Sequence, residues 1–225
     1  LNDAPRGGSS LGLGRASRVL VTAQLALSIA LLLPSSTMIK SILQLQTHDY
    51  GFAVDDVLTG QVALPAADYP DDQRRLAFYD QLERQLAAGS GAGSVALASI
   101  LPGQFGTWVS LEIEGRPSSQ DRDRPATQQT VVSTGFFKTY GVRVADGRDF
   151  LASDTASTQP AAIVNRRFVE RYFSDRRAIG QRIRIVDPAL PVQPWRIIVG
   201  VVPDMPVGRR NADRDWGVYV PLAQA

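Results

Sequence analysis

VLVTAQLALSIALLLPSSTMI, residues Val19–Ile39, is an uncharged, mostly apolar run between Arg18 and Lys40, and its reading divides the chain. At about 1.5 Å of rise per residue, a helix over this run spans roughly 31 Å, the ~30 Å thickness of a bilayer's hydrocarbon core. Two other readings compete. Arg15 and Arg18 with Val19 to Leu33 could serve as the charged and apolar parts of a signal peptide. Alternatively, Pro34, Ser35, Ser36 and Thr37 dilute the run enough for a core helix of a soluble protein. Against a signal peptide, the chain opens on Leu1 rather than Met, and eighteen residues precede the run. The spanning helix is the preferred reading, within what reads as an internal piece of a longer protein.

Charge placement orients this helix. Residues 1–18 carry Arg6, Arg15 and Arg18 against Asp3, and the remaining 21 basic residues balance 21 acidic ones. The whole net charge of +2 therefore lies on the leader. By the positive-inside tendency, residues 1–18 are a cytoplasmic leader or linker, 19–46 the membrane helix with its extension, and 47–225 an extracytoplasmic domain. A domain of zero net charge offers no electrostatic footprint for phosphates, which argues against nucleic-acid binding. The absence of cysteine excludes disulfides, thiol catalysis and cysteine-ligated metals.

Beyond the helix, strand and helix patterns alternate. Leu58 to Leu64 reads as a short strand ended by Pro65. Tyr69-Pro70-Asp71-Asp72 opens a helix over Gln73 to Ala88, with Leu76, Tyr79, Leu82 and Leu86 on one face. Ser94 to Leu101 reads as a buried strand. Val109, Leu111 and Ile113 alternate with Ser110, Glu112 and Glu114, the period of a half-solvated strand. Gly115 to Pro125 is a loop, Gln128 to Ser133 a strand, Gly135 to Tyr140 a helical turn, and Gly141 to Phe150 a turn-rich stretch. Ala161 to Val164 reads as a buried strand leading into a helix at Asn165 to Phe173. Arg182 and Arg184 alternate with Ile183 and Ile185. Trp195 to Val202 is the strongest strand signal, and Val218 to Val220 closes the pattern. Strands mixed with two main helices indicate α+β, as one mixed sheet or two small ones.

The search for chemistry finds no reactive constellation. The only histidine, His48, follows the membrane run and reads as structural or solvated. Zinc sites of the usual kinds and a Ser-His-Asp triad lack their ligands and partners. Asp55-Asp56, Asp71-Asp72, Glu112 with Glu114, and Asp121 with Asp123 pair carboxylates; Glu112 and Glu114 would share a strand face, but flanking charges and a loop favour a solvated surface over an acid/base pair. Gly89 to Gly93 follows a helix and precedes a strand, the reverse of a phosphate cradle. Arg166, Arg167 and Arg171 on one helix, and Arg209-Arg210 in a polar loop, read as solvated faces. No catalytic, cofactor-binding or metal residue is expected, and no residue is assigned to a substrate.

The order of fragments carries more. VLVTAQLALSIALLL is followed by SILQLQTHDYGF, ALPAADYP, and FYDQLERQL leading to SVALASILPG. EGRP, VSTGFFKTYGVRVADGRDF, AAIVNRRFVERYF, IGQRIRI, IIVGVV and VYVPLAQ complete the series. From about Arg15 onward the chain resembles FtsX-like ABC transporter permeases with a MacB-like periplasmic core domain. The leader further resembles the linker before the second half of duplicated permeases. Three departures stand out: the polar run at Pro34 to Thr37, the Gly/Ser-rich turn at residues 89–93, and Pro203 where glycine is commoner.

The resemblance implies an N-terminal transmembrane helix and a mixed α/β periplasmic domain of two small subdomains, in the bacterial inner membrane. It implies a non-catalytic role: passing ATP-driven motion from a cytoplasmic ABC ATPase to the periplasm, for export or extraction of a substrate. The implied partners are that ATPase, a second permease half or copy, the lipid bilayer and a periplasmic adaptor. In such permeases this domain lies between the first and second membrane helices. Two alternatives stay open: a membrane-anchored extracytoplasmic sensor or protein-interaction module, and an anchored hydrolase using carboxylates alone. A rigid lever should be continuous, so Pro34 puts the membrane helix in question.

Overall fold

The computed structural model describes residues 10–46, 57–65, 67–89, 91, 93–104, 106–116, 124–187, 191–205 and 216–225. The chain divides into two units, residues 1–49 and 50–225. The first holds helix α1, Ser10–Gln46, which runs unbroken through Pro34. Its segment Ser17–Leu43 is long and apolar enough to cross a bilayer, and none of it is buried inside the protein. The polar run beside Pro34 hides its donors. Ser35 Oγ donates to the Leu31 carbonyl, Ser36 Oγ to Leu33 and Thr37 Oγ1 to Pro34, each at 2.8 Å. With every hydroxyl turned back on the helix, the run suits a water-free medium.

The second unit is built on one mixed sheet. Its strands are β1 (Thr107–Ile113), β2 (Ala126–Val132), β3 (Asp146–Gly147), β4 (Ala161–Asn165), β5 (Arg182–Val186), β6 (Arg196–Val202) and β7 (Gly217–Pro221). They run in the order β3-β6-β4-β7-β2-β1-β5, and β5 pairs in turn with β6. Six strands therefore close into a ring, with β3 attached to the outer part of β6. The β2–β7 and β4–β6 pairs are parallel and the others antiparallel. Three helices accompany the sheet: α2 (Asp72–Gly89), α3 (Phe136–Thr139) and α4 (Arg166–Tyr172).

Burial follows the pleat. β1 and β5 alternate, with Val109, Leu111, Ile113, Ile183 and Ile185 inward and the intervening polar residues outward. β4 and β7 are buried along their whole length, as continuous apolar runs covered on both faces are. Side chains of β1, β4, β5, β6 and β7 meet with Phe168 and Phe173 in one cluster. Five strands of a closed ring can share a cluster only in its interior. A second cluster, with Phe136, Phe137, Tyr140, Phe150, Ile163 and Tyr219, covers the other face of β4 and β7 beneath α3. Where the sequence suggested two small subdomains, residues 50–225 form one compact unit, a mixed α/β domain on one sheet with an apolar cluster on each face.

Two expected strands are not formed. Leu58 to Leu64 forms no strand pairing among the described residues, and Leu58 is 99% exposed. Ser94 to Leu101 makes only one bridge, Ala98 to Val132, with Ser99 N–H donating to Val131 at 2.8 Å and Ser133 N–H to Leu97 at 2.9 Å. The bridge falls on the end of β2 beyond its pairing with β1, which covers only Ala126 to Gln129. The helix between the two segments, α2, starts on Asp71, whose Oδ1 accepts from Arg74 N–H at 2.7 Å. None of its residues is fully buried.

Where β3 crosses β6, the backbones approach too closely for side chains. A Cβ on Gly200 would overlap the Arg148 carbonyl oxygen, and one on Gly147 the Val199 carbonyl oxygen. Gly200→Ala should therefore cost about 1–3 kcal/mol in urea unfolding, as overpacking does. Gly93→Ala, with open space around its Cβ, should leave the midpoint unchanged or slightly raised. A second expectation concerns α2. Burial pushes the Glu83 carboxyl upward, opposed by the Ser133 hydroxyl, which donates to it at 2.9 Å, and reinforced by Asp80. A carboxyl raised above its unfolded value of about 4.3 favours the fold when protonated, so its contribution fades as pH rises through the folded value. Glu83→Gln should raise the melting temperature at pH 7 and leave it unchanged near pH 4.

Candidate functional site

The carboxylate pair that the sequence singles out is assembled with its own counter-charges. β1 and β5 place Glu112 directly opposite Arg184. Arg184 Nε donates to Glu112 at 3.0 Å, and Arg124 reaches the same carboxylate at 3.2 Å. Glu114 pairs with Arg182, whose Nε donates at 2.7 Å. Arg184 also lies over the Trp195 ring, 4.6 Å from its centre, a contact worth about 0.5–1 kcal/mol at an exposed site. Both carboxylates are committed to cross-strand arginines on the outer face of the ring, and neither stands free as an acid or base.

Other candidates are similarly occupied. Asp71 caps α2, and Asp72 pairs with Arg75. Gly89 ends α2. Arg167 pairs with Asp204 at 3.5 Å, and its N–H donates to the same carboxylate at 2.9 Å. Arg171 lies 5.8 Å from the Trp216 ring centre. Arg166 is exposed. His48, Asp55, Asp56, Asp121, Asp123, Arg209 and Arg210, and part of the residue 89–93 turn, lie outside the described residues. Among the described residues, no three acidic or histidine side chains gather as metal ligands would. The described candidates are thus engaged in capping, ion pairs and ring contacts.

What the sequence reading missed is a set of polar joints at strand ends. Asn165 is fully buried where β4 passes into α4. Its Oδ1 accepts from Phe168 N–H and from Gly217 N–H, both at 3.0 Å, so one side chain caps α4 and holds the start of β7. Asp154 grips Arg148 through two bonds of 2.7 and 2.9 Å and accepts from Leu151 N–H at 2.9 Å. The Arg148 guanidinium holds the Asp154 carboxyl below the usual range. Arg196 opens β6 on the inward side of the pleat and is 3% exposed. Burial pushes its pKa down. Its Nη2 donates to the Gln224 carbonyl at 2.7 Å and its Nη1 to Gln224 Oε1 at 3.5 Å. For Asn165 and Arg196 the usable signal is a polar residue at the end of an apolar strand, as in AAIVN and WRIIVGVV; the Arg148–Asp154 joint has no such signal.

Comparison with known proteins adds the family. Solved structures that resemble the chain include the following three. The periplasmic region of MacB from Actinobacillus actinomycetemcomitans is 13% identical, with a TM-score of 0.45 over 63% of this chain and 54% of that one. A domain assigned to a permease of Porphyromonas gingivalis is 14% identical, with a TM-score of 0.38 over 59% and 52%. The extracellular domain of the noncanonic ABC-type transporter YknZ from Gram-positive bacteria is 19% identical, with a TM-score of 0.32 over 51% and 54%. The chain spans about half the length of each. No curated protein matches it. The model of the MacB-like periplasmic core domain, by contrast, matches residues 20–225. With nearly its whole length covered, the chain belongs to the family of the MacB-like periplasmic core domain.

Proposed function

We propose that this chain is the first membrane helix and the periplasmic domain of an ABC transporter permease in a bacterial inner membrane. In this reading a cytoplasmic ATPase drives the helices, and α1 carries the motion outward to the ring for export or extraction of a substrate. A second permease half or copy, and a periplasmic adaptor, complete the assembly. The carrying observation is the family match over residues 20–225, which includes nearly all of the apolar helix as well as the domain. Two physical features support it. α1 is continuous through Pro34, so a displacement along it is not absorbed by a break. The ring is closed, and closed sheets deform less readily than sheets with free edges. The paired state of Glu112 and Glu114 favours this reading over hydrolysis.

The test uses the full-length permease reconstituted with its ATPase. Because these 225 residues contain no cysteine, probes at Lys40→Cys and Val192→Cys can be placed once any cysteine elsewhere is replaced. Val192 is 84% exposed and tolerates a label. In cells, a membrane-impermeant maleimide should label Val192→Cys from outside, and Ser10→Cys only after permeabilisation. Spin labels at 40 and 192 should change separation between the ATP-bound and nucleotide-free states. Separations indifferent to ATP would sink the transmission reading in favour of an anchored sensor.

A further inference from the structure

Gln224 is bound at every polar group of its side chain. Its Oε1 accepts from Ala161 N–H at 2.9 Å and from Arg196 Nη1 at 3.5 Å. Its Nε2 donates to the Thr155 carbonyl at 3.0 Å, and to Thr158 Oγ1 and the Gln159 carbonyl, each at 3.3 Å. Its own carbonyl accepts from Arg196 Nη2 at 2.7 Å. One residue in the short turn after β7 thus ties together the first residue of β4, the loop at residues 155–159 and the first residue of β6. This turn, Leu222–Gln224, is a single 3-10 turn and has little strength of its own.

The other half of the joint is unusual in a different way. Arg196 is a buried guanidinium that no carboxylate pairs among the described residues, and its Nε has no hydrogen-bond partner. Desolvating a cation without a counter-charge is unfavourable, and an apolar residue of similar size commonly serves stability as well or better. Stability alone therefore gives no reason for arginine at the inward position where β6 begins. What the guanidinium supplies, and methionine would not, is a directed grip on the main chain of residue 224.

We propose that Arg196 and Gln224 are positioning residues for motion transmission: they lock the segment leaving β7 onto β6 and the 155–159 loop, so that displacement of that segment moves the ring as one body. The proposal rests on the permease reading, in which the domain joins one membrane helix at each end. In that reading α1 is one attachment and the segment leaving β7 is the route to the other. Without the joint, β7 would end at Pro221, and the following turn could peel away before the sheet moved.

The test follows the ATP-dependent separation of spin labels at 40 and 192 in the full-length permease with its ATPase. Gln224→Ala and Arg196→Met are each compared with the unsubstituted protein, alongside ATP turnover and the melting temperature. In Arg196→Met the melting temperature should hold or rise and ATP turnover continue, while the ATP-driven change in separation falls by at least half. Gln224→Ala should lose the change more completely. If Gln224→Ala fails to fold, Arg196→Met decides alone. An Arg196→Met protein that keeps the full change overturns this proposal and leaves the permease reading intact. So does one that loses stability and motion together, because the arginine would then be merely structural. No ATP-driven change in the unsubstituted protein overturns both.

Discussion

The antiparallel contact of β5 with β6 places Arg182 opposite Ile197 and Ile183 opposite Arg196, and through it an open sheet becomes a ring. Without this contact the sheet would have two edges, β3 and β5, each presenting unpaired backbone groups. With it, β6 serves three neighbours: β4 on one side, and β5 then β3 on the other. That crowding explains Gly147 and Gly200, the only residue type that lets the β3 and β6 backbones pass so closely. It also explains why Ile183 and Ile198 are completely buried. Closure converts half-covered strands into the wall of an apolar interior.

A closed apolar interior has to manage the polar groups at its rims. The domain does so with few side chains, each joining more than one element. Asn165 connects β4, α4 and β7, and Gln224 connects β4, β6 and a loop. Charge is handled separately, on the outer face, where Glu112 and Glu114 stand across from Arg184 and Arg182. The more exposed of the two, Glu114 with Arg182, contributes little to stability, about 0–1 kcal/mol. Both pairs favour the register of β1 against β5, since a one-residue slip would turn charged side chains into the core.

Much of this fold was legible because its strands obey simple periodicity. The alternation at Val109 to Ile113 and at Arg182 to Ile185 appears as inward and outward faces. The apolar runs at Ala161 to Val164 and Val218 to Val220 are buried on both sides. Asn165 to Phe173 marks α4 together with its two capping residues. The pattern misled at Leu58 to Leu64 and Ser94 to Leu101, since local strand preference says nothing about whether a partner edge remains free. The joints escaped for a related reason. Arg196 follows Trp195 in an apolar context, but period alone cannot distinguish an inward arginine from an interruption. The residue that takes its Nη1 and Nη2 bonds lies 28 residues further on. The carboxylates were legible as residues without catalytic context, although their cross-strand arginines required knowledge of the register.

The direction of β7 has a mechanical consequence. β7 runs parallel to β2 over Gly217 to Pro221 and antiparallel to β4 at Val218 and Tyr219, so β2 holds it along its length and β4 at its middle. The ladder bonds lie across the strand axis. Tension drawn along β7 from its Gln224 end therefore loads these bonds in shear, all together, and does not unzip them one after another. A strand placed this way yields abruptly at high load instead of creeping at low load. Below that threshold it behaves as a stiff cable embedded in the wall of the ring.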